Sequence, residues 1–336
     1  SSDWFRHGHD GDKVYDSVIL HIVGEADGEV TRTNGEVIPQ MIVSCPERIK
    51  MHYYELCVSD CYPACYPIFR SLPKLTVHSW LSALQTERLE QKAKLIGARL
   101  EHCNNNWEDV FFITLARNYG FGLNGDAFEA WAELLPFRAL DKHRNDLFQI
   151  EALFYGMAGL FEDTFLKEEQ KDEYCLRLSK EFHYLQRKFE IFRVMDATLW
   201  RFLRLRPDNF PHIRLAQLAY LYQKGDKLFS RLLEAETLAE VRILLSTRTS
   251  VYWENHYIFG RTSPQREKLL GEQSKDLIII NTVVPFLYTY GLHKANEGMC
   301  ERAGRFLEEL KAENNHIIRS WSDAGLPVAS AADSQA

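Results

Sequence analysis

The residues whose types and spacing could do chemistry are concentrated at the start of the chain. The candidate catalytic residues there are Asp3, His7, His9 and Asp16. In an extended segment His7 and His9 point to the same side, because side chains alternate with a period of two. Two imidazoles beside a carboxylate suit a divalent metal ion, or an acid and base that handle a phosphate. The alternative is that these side chains only hydrogen-bond the segment to neighbouring backbone.

Arginines supply the second candidate group. The planar guanidinium presents paired N–H donors that match the oxygens of a phosphate or a carboxylate. Binding of an anion or a nucleic-acid backbone is assigned to five of them: Arg6, Arg201, Arg204, Arg206 and Arg214. The alternative for the last four is an ion-paired junction between helices, with Asp196, Asp208 or glutamates as partners.

The other reactive side chains favour structural roles. Cys57, Cys61 and Cys65 follow one another at intervals of four. This spacing suits small thiols in a helix or loop, although a metal site is left open. The aromatic segment from Trp253 to Tyr257 could stack a base, but aromatic clusters more often fill a core. No glycine-rich phosphate loop, His-Glu-x-x-His helix or Gly-x-Ser-x-Gly turn occurs in the sequence.

The element that must position the N-terminal residues is a short strand. The run from Val18 to Val23 is rich in β-branched residues and predicts a buried strand. Asn34-Gly35 predicts a hairpin turn between two further strands, Glu29 to Thr33 and Val37 to Val43, and Pro39 indicates an edge position or a late start for the latter. Residues 1–45 therefore predict a small β region. Because it begins abruptly, we expect a preceding part in the natural chain.

From Val77 onward the pattern of apolar residues is almost wholly helical. Asn106 is the predicted N-cap of a helix over Trp107 to Tyr119, and Asn124 that of the next helix. Gly120 is predicted to end the first of these helices in the left-handed conformation.

The predicted fold class is α+β. Residues 1–75 form a small β-containing N-terminal region, and residues 76–336 form a large all-α region. A hydrophobic content of 46% and a charged content of 26% are typical of a soluble globular chain.

Composition also limits the partners and the compartment. A net charge of −7 argues against a protein that coats nucleic acid regardless of sequence, but it leaves room for a local basic groove. No apolar run reaches the length of a membrane helix, and the start resembles no signal peptide. Seven cysteines, an odd number, favour reduced thiols. We expect a cytoplasmic protein without a membrane partner, while the sequence identifies no protein partner.

Six motifs follow one another along the chain. They are Asp3-Trp4-Phe5-Arg6-His7-Gly8-His9 with Tyr15-Asp16, Ala116 to Phe121, Glu151 to Gly156, Arg204 to Pro211, Trp253 to Tyr257, and Asp333 to Ala336. Together they resemble an uncharacterised bacterial family, catalogued as domain of unknown function 2851. The resemblance extends over nearly the whole chain and supplies no activity.

Members of that family resemble one another beyond both ends of this chain, upstream in a Gly-Pro-Asp-Phe segment and a Val-Glu-Ile-His-type strand. An aspartate followed by Glu-x-His or Glu-x-Lys is similar to the PD-(D/E)xK nuclease core, an analogy at the level of fold. By this analogy, upstream carboxylates would hold Mg²⁺ or Mn²⁺, and His7 or His9 would orient or protonate a phosphate oxygen. We therefore expect a nuclease-like protein that processes nucleic acid, with residues 1–75 as part of its core. The alternative is a non-catalytic helical interaction module.

Overall fold

The structure is a computed structural model that describes residues 2–58, 68, 71–163, 165–326 and 328–336. It is mostly helical, and its strands are short. The chain forms two compact units. One comprises Ser1–Leu72 with Asp323–Gly325, and the other comprises Pro73–Ser322 with Leu326–Ala336. None of the described helices has the length and apolar character needed to span a bilayer.

The first unit is built around one short pair of strands. Strand β1, His21–Val23, pairs in parallel with β2, Gln40–Ile42. Helix α1, Ser2–Arg6, precedes the pair, and helix α2, Glu47–Cys57, follows it. The small core of the unit consists of Trp4, Val30 and Ile38.

The structure confirms one part of the predicted β region and corrects another. Gly35 has a φ of 81°, the left-handed value that a hairpin turn at Asn34-Gly35 requires. Ile19 and Ile22 are exposed, so the prediction of a buried strand from Val18 to Val23 is wrong. Apolar character alone did not bury this run, because a parallel pair needs cover on both faces. The strands agree with a β-containing start but do not amount to a sheet that defines an α+β fold.

The second unit is a helical assembly. Its helices in chain order are α3 Lys74–His102, α4 Trp107–Tyr119, α5 Gly125–Glu133, α6 Phe137–Lys142, α7 Leu147–Met157, α8 Glu173–Lys188, α9 Pro211–Lys224, α10 Leu228–Glu234, α11 Leu238–Leu244, α12 Glu272–Ile278, α13 Val284–His293, α14 Glu297–Glu309, α15 His316–Asp323 and α16 Ala331–Gln335. An antiparallel pair, β3 His256–Ile258 and β4 Arg261–Thr262, lies between α11 and α12. A π-helix, Ile279–Val283, joins α12 to α13.

The two predicted cap residues behave differently. Asn106 caps α4 as predicted, because its Oδ1 accepts the main-chain N–H of Glu108 at 3.0 Å. Asn124 precedes α5, but its side chain makes no cap. Instead its amide binds both the main-chain N–H and the carbonyl of Arg201, at 2.8 and 2.9 Å. The side chain of Asn124 therefore makes a tertiary contact in place of the predicted helix cap.

The glycine at the end of α4 is needed for a different reason from the predicted one. Gly120 has a φ of −71°, so the prediction of a left-handed residue there is wrong. A Cβ at Gly120 would lie 2.4 Å from main-chain atoms of Asn124 and Gly125. The tight connection to α5 therefore excludes a side chain, whatever the handedness of the backbone.

The π-helix explains part of the Ala116–Phe121 motif. A π-helix shifts the usual backbone hydrogen bonds, so its carbonyl groups need other donors. Asn118 on α4 supplies one, since its Nδ2 donates to the carbonyl of Asn281 at 2.9 Å and to Oγ1 of Thr282 at 2.8 Å. Lys92 on α3 donates to Oδ1 of Asn281 at 3.1 Å, and burial lowers the pKa of Lys92 to about 8.

Helix α7, near the candidate site described below, is fully buried over its C-terminal two turns. Every residue from 150 to 157 is buried. Gly156 on this helix faces α8, and a Cβ there would lie 2.1 Å from the ring of Phe182. The two helices approach one another at a distance that only glycine allows.

Replacing Gly156 by alanine is therefore expected to destabilise the protein. The added methyl group would force Phe182 or the helix backbone to move, at a cost of roughly 1–3 kcal/mol. Urea unfolding measures the effect. The matched control is Gly304→Ala on α14, where a Cβ would meet no atom within 4 Å. That control should leave stability unchanged or raise it, and equal effects of both substitutions would contradict the close approach.

Candidate functional site

The predicted catalytic histidines lie side by side. The ring centroids of His7 and His9 are 5.8 Å apart, with an interplanar angle of 30°. They meet across a tight turn, at which Gly8 has a φ of 70°, and not along an extended strand. His9 also contacts the rings of Tyr15, at 4.0 Å, and Trp4, at 5.3 Å. No described group hydrogen-bonds a ring nitrogen of His7 or His9, so ring contacts alone hold the pair.

The predicted catalytic carboxylates each have another partner. Asp3 forms an exposed ion pair with Arg6 at 2.6 Å. Asp16 accepts hydrogen bonds from Oγ1 and the main-chain N–H of Thr33, at 2.6 and 2.9 Å, and these bonds lower the pKa of Asp16. The described part of the chain contains no group of three or more His, Cys, Asp or Glu side chains that could hold a metal ion. Two of the cysteines considered as ligands lie outside the described residues: Cys61 and Cys65.

A second set of candidate residues lies between α8 and α9, in residues 192–206, named here the arginine loop. The loop contains four exposed arginines and no lysine: Arg193, Arg201, Arg204 and Arg206. None of these four side chains has a hydrogen-bond or ion-pair partner in the described ranges. The partners that the sequence suggested are engaged elsewhere. Asp196 accepts from Thr198, and Asp208 pairs with Arg266.

Two hydrogen bonds fasten the arginine loop to the end of α7. The N–H of Met195 donates to the carbonyl of Met157 at 3.0 Å. The indole Nε1 of Trp200 donates to the carbonyl of Ala158 at 2.9 Å. Met195 and Trp200 are both buried. The middle of the loop is therefore fixed, while the arginines on either side of it remain in solvent.

Arg204 occupies a backbone conformation that favours glycine. Its φ is 65°, and the N–H of Leu205 donates to the carbonyl of Phe202 at 3.2 Å, which places Arg204 third in a tight turn. A residue with a side chain pays roughly 1–2 kcal/mol for this conformation. Leu203, beside it, is 81% exposed. The strain at this exposed turn gives the fold no stability.

Arg214 differs from the other predicted anion-binding arginines. It is buried on α9, where Nη1 donates to Oε1 of Gln217 at 2.8 Å and Nη2 donates to Oδ1 of Asn209 at 2.6 Å. Its guanidinium lies 4.4 Å from the centroid of the Phe121 ring. Burial lowers the pKa of Arg214 to about 10. The structure thus separates this arginine, which joins helix and loop, from the exposed ones.

The buried titratable groups that sequence reasoning missed include Glu151 and His212. Glu151 on α7 is fully buried: Oε2 accepts from the hydroxyl of Tyr174, and Oε1 has no partner among the described atoms. Burial raises the pKa of Glu151 to about 7. His212 on α9 is also buried, and burial lowers its pKa to about 3. The signal for Glu151 is a single acid inside the apolar run from Ile150 to Tyr155.

Replacing Glu151 by glutamine is expected to stabilise the protein above pH 7. The folded chain keeps the Glu151 proton up to about pH 7, whereas the unfolded chain releases it near the ordinary pKa of 4.5. The free energy of unfolding therefore falls as pH rises between these values, by up to about 3 kcal/mol. Urea unfolding of Glu151→Gln should show a gain at pH 8 and little change at pH 4. Glu173→Gln, at an exposed position on α8, is the control.

His212 supplies a second check on the same variant. The unfolded chain protonates this imidazole below about pH 6.5, whereas the folded chain does so only near pH 3. Stability from this group is therefore lost as pH falls. The two effects oppose one another in the wild type, so Glu151→Gln should lose stability toward acid more steeply. Superimposable pH profiles of the two proteins would contradict the assigned pKa of Glu151.

Comparison with known proteins gives one match. No curated protein and no solved structure matches the chain. The model of the family described as "Protein of unknown function (DUF2851)" matches residues 1–316. This confirms the resemblance seen in the six motifs. The chain therefore belongs to this family of unknown function.

Proposed function

We propose that this protein binds nucleic acid through the arginine loop. The observation that carries the proposal is the set of four exposed arginines whose side chains have no partner in the part of the chain that is described. Guanidinium groups bind phosphate oxygens through paired N–H donors, and phosphate contacts supply most of the affinity of non-specific binding. An acidic chain with one local basic surface would bind weakly except at that surface.

The fixed backbone of the loop supports this proposal. Met195 and Trp200 hold the loop to α7, so its arginines lose less conformational freedom on binding than they would on a free tail. The strained turn at Arg204 directs one of these side chains at a cost in stability. Both features place cationic groups where a phosphate backbone can reach them.

The irregular backbone favours nucleic acid over a membrane surface as the partner. Proteins that lie in a membrane interface do so mostly with an amphipathic helix, whose backbone groups are satisfied internally. The arginine loop is instead mostly irregular, with one short 3-10 helix, Ala197–Leu199. Its open backbone N–H groups can stay hydrated beside a polar ligand, but would lose hydration in lipid.

Substituting the loop arginines is expected to weaken binding of a fluorescent oligonucleotide at low salt. Each of Arg201→Ala, Arg204→Ala and Arg206→Ala should lower affinity and reduce the slope of log K against log salt by about one. Arg231→Ala on α10, an exposed arginine outside the loop, is the matched control. Absence of binding by the wild type, or an equal loss in the control, would defeat the proposal.

Replacing Arg204 by glycine distinguishes a role of this residue in binding from a role in folding. Arg204→Gly should raise the free energy of unfolding by about 1 kcal/mol, since glycine tolerates a φ of 65° without strain. The same variant should bind the oligonucleotide as weakly as Arg204→Ala. A variant that is less stable and binds normally would show that Arg204 serves the fold.

We propose, as a second function, that the protein cleaves the nucleic acid in a nuclease-like reaction. The paired rings of His7 and His9, whose nitrogens have no described hydrogen-bond partner, support an acid/base role toward a phosphate oxygen. Because Asp3 and Asp16 are engaged elsewhere, the described residues fit this role better than a metal ligand set. Mg²⁺ or Mn²⁺ would neutralise charge on the phosphate. The strand pair β1–β2 would then belong to an α+β core.

This second function has its own test. Single- and double-stranded oligonucleotides are incubated with the protein in Mg²⁺ or Mn²⁺, and products are resolved by electrophoresis. His7→Ala and His9→Ala should each abolish cleavage and leave affinity unchanged, whereas His52→Ala, on α2, should cleave normally. Binding without cleavage by the wild type would favour the non-catalytic interaction module.

A further inference from the structure

The arginine loop also exposes an aromatic ring. Phe192 is 88% exposed, the largest fraction for any large apolar side chain in the described residues. Its ring contacts no other described ring or cation, while most phenylalanines of this chain are packed in the core. An exposed phenylalanine forgoes roughly the whole hydrophobic gain that burial would give it. Within the fold, the ring has no evident use.

Phe192 belongs to the same attached loop as the arginines, and Arg193 follows it directly in the chain. Phe192 is three residues before Met195 in the chain, so the two Cα atoms are at most about 11 Å apart. Met195 and Trp200 bind consecutive carbonyls, those of Met157 and Ala158. The segment that carries Phe192 and the segment that carries Arg201 are therefore both attached at the C-terminal end of α7.

Single-stranded nucleic acid is the ligand that uses both kinds of side chain. In a duplex the base faces are covered by stacking, so only the phosphates would meet this loop. An unpaired base offers its face to an aromatic ring, while arginines follow the backbone on either side. Resting on the nucleic-acid binding proposed above, we infer that the arginine loop binds single-stranded nucleic acid, with an unpaired base stacked on Phe192.

The experiment compares three fluorescent probes that carry the same number of phosphates: a single strand, a duplex of half its length and an abasic single strand. Fluorescence anisotropy at low salt gives each affinity. The wild type should bind the single strand roughly tenfold more tightly than the abasic strand, because stacking on the ring is the main difference. Phe192→Ala should remove this tenfold preference and leave the abasic affinity unchanged. Phe192→Trp should keep the preference, and Phe192→Leu, apolar without a ring, should lose it.

Control variants keep the outcomes apart. Tyr184→Ala, at an exposed aromatic on α8, should behave as the wild type. If the arginines control binding but Phe192→Ala changes none of the three affinities, or all three equally, stacking is overturned and phosphate binding stands. If no probe binds, or if the protein instead sediments with vesicles of anionic phospholipid, both proposals are overturned.

Discussion

A buried helix end still needs hydrogen-bond donors for its last backbone carbonyl groups. In this protein the arginine loop supplies the donors at the end of α7. The C-terminal carbonyls of a helix have no partner within it, and leaving them bare in the interior is costly. Here the carbonyls of Met157 and Ala158 accept from Met195 and Trp200. The need to satisfy a helix end thus fixes a loop that would otherwise be free.

The same helix carries a buried acid whose charged form is disfavoured by burial. Glu151 is buried with one oxygen unsatisfied, so its neutral form is favoured and its pKa rises to about 7. His212, buried as well, stays neutral to about pH 3. The folded chain favours the protonated form of Glu151 and the neutral form of His212. Stability from Glu151 is therefore lost as pH rises, and stability from His212 is lost as pH falls. Their sum makes stability less sensitive to pH between about 4.5 and 6.5 than either group alone would allow.

The sequence predicted those features whose causes are local. Asn106 caps α4 because the cap, its acceptor geometry and the helix it starts are all within a few residues. Asn124 has the same local signals, yet its amide binds the backbone of Arg201, far along the chain. Gly120 is likewise explained by a close approach to the next helix turn. Local patterns therefore predict where a helix begins or ends, but they do not predict which partner a side chain there will bind when a distant segment also offers one.

The candidate site divides in the same way. Residue type and spacing identified Arg201, Arg204, Arg206 and Arg214 as one group, but burial makes Arg214 a structural residue and leaves the others exposed. The exposed ring of Phe192 was missed, because a phenylalanine in an apolar segment predicts burial. Whether a given side chain is buried or exposed depends on how the helices pack together, and local sequence does not determine that packing.

The unpaired state of the loop arginines is not due to a shortage of acids. The chain has 47 acidic and 40 basic residues, so an average cation has carboxylates to spare. The carboxylates in and next to the loop do not pair with these arginines, however: Asp196 holds a turn through Thr198, Asp208 pairs with Arg266, and the exposed Glu190 has no described ion pair with them. A ligand phosphate would therefore form its contacts without first breaking an ion pair inside the protein. This would lower the cost of binding an anion at the arginine loop.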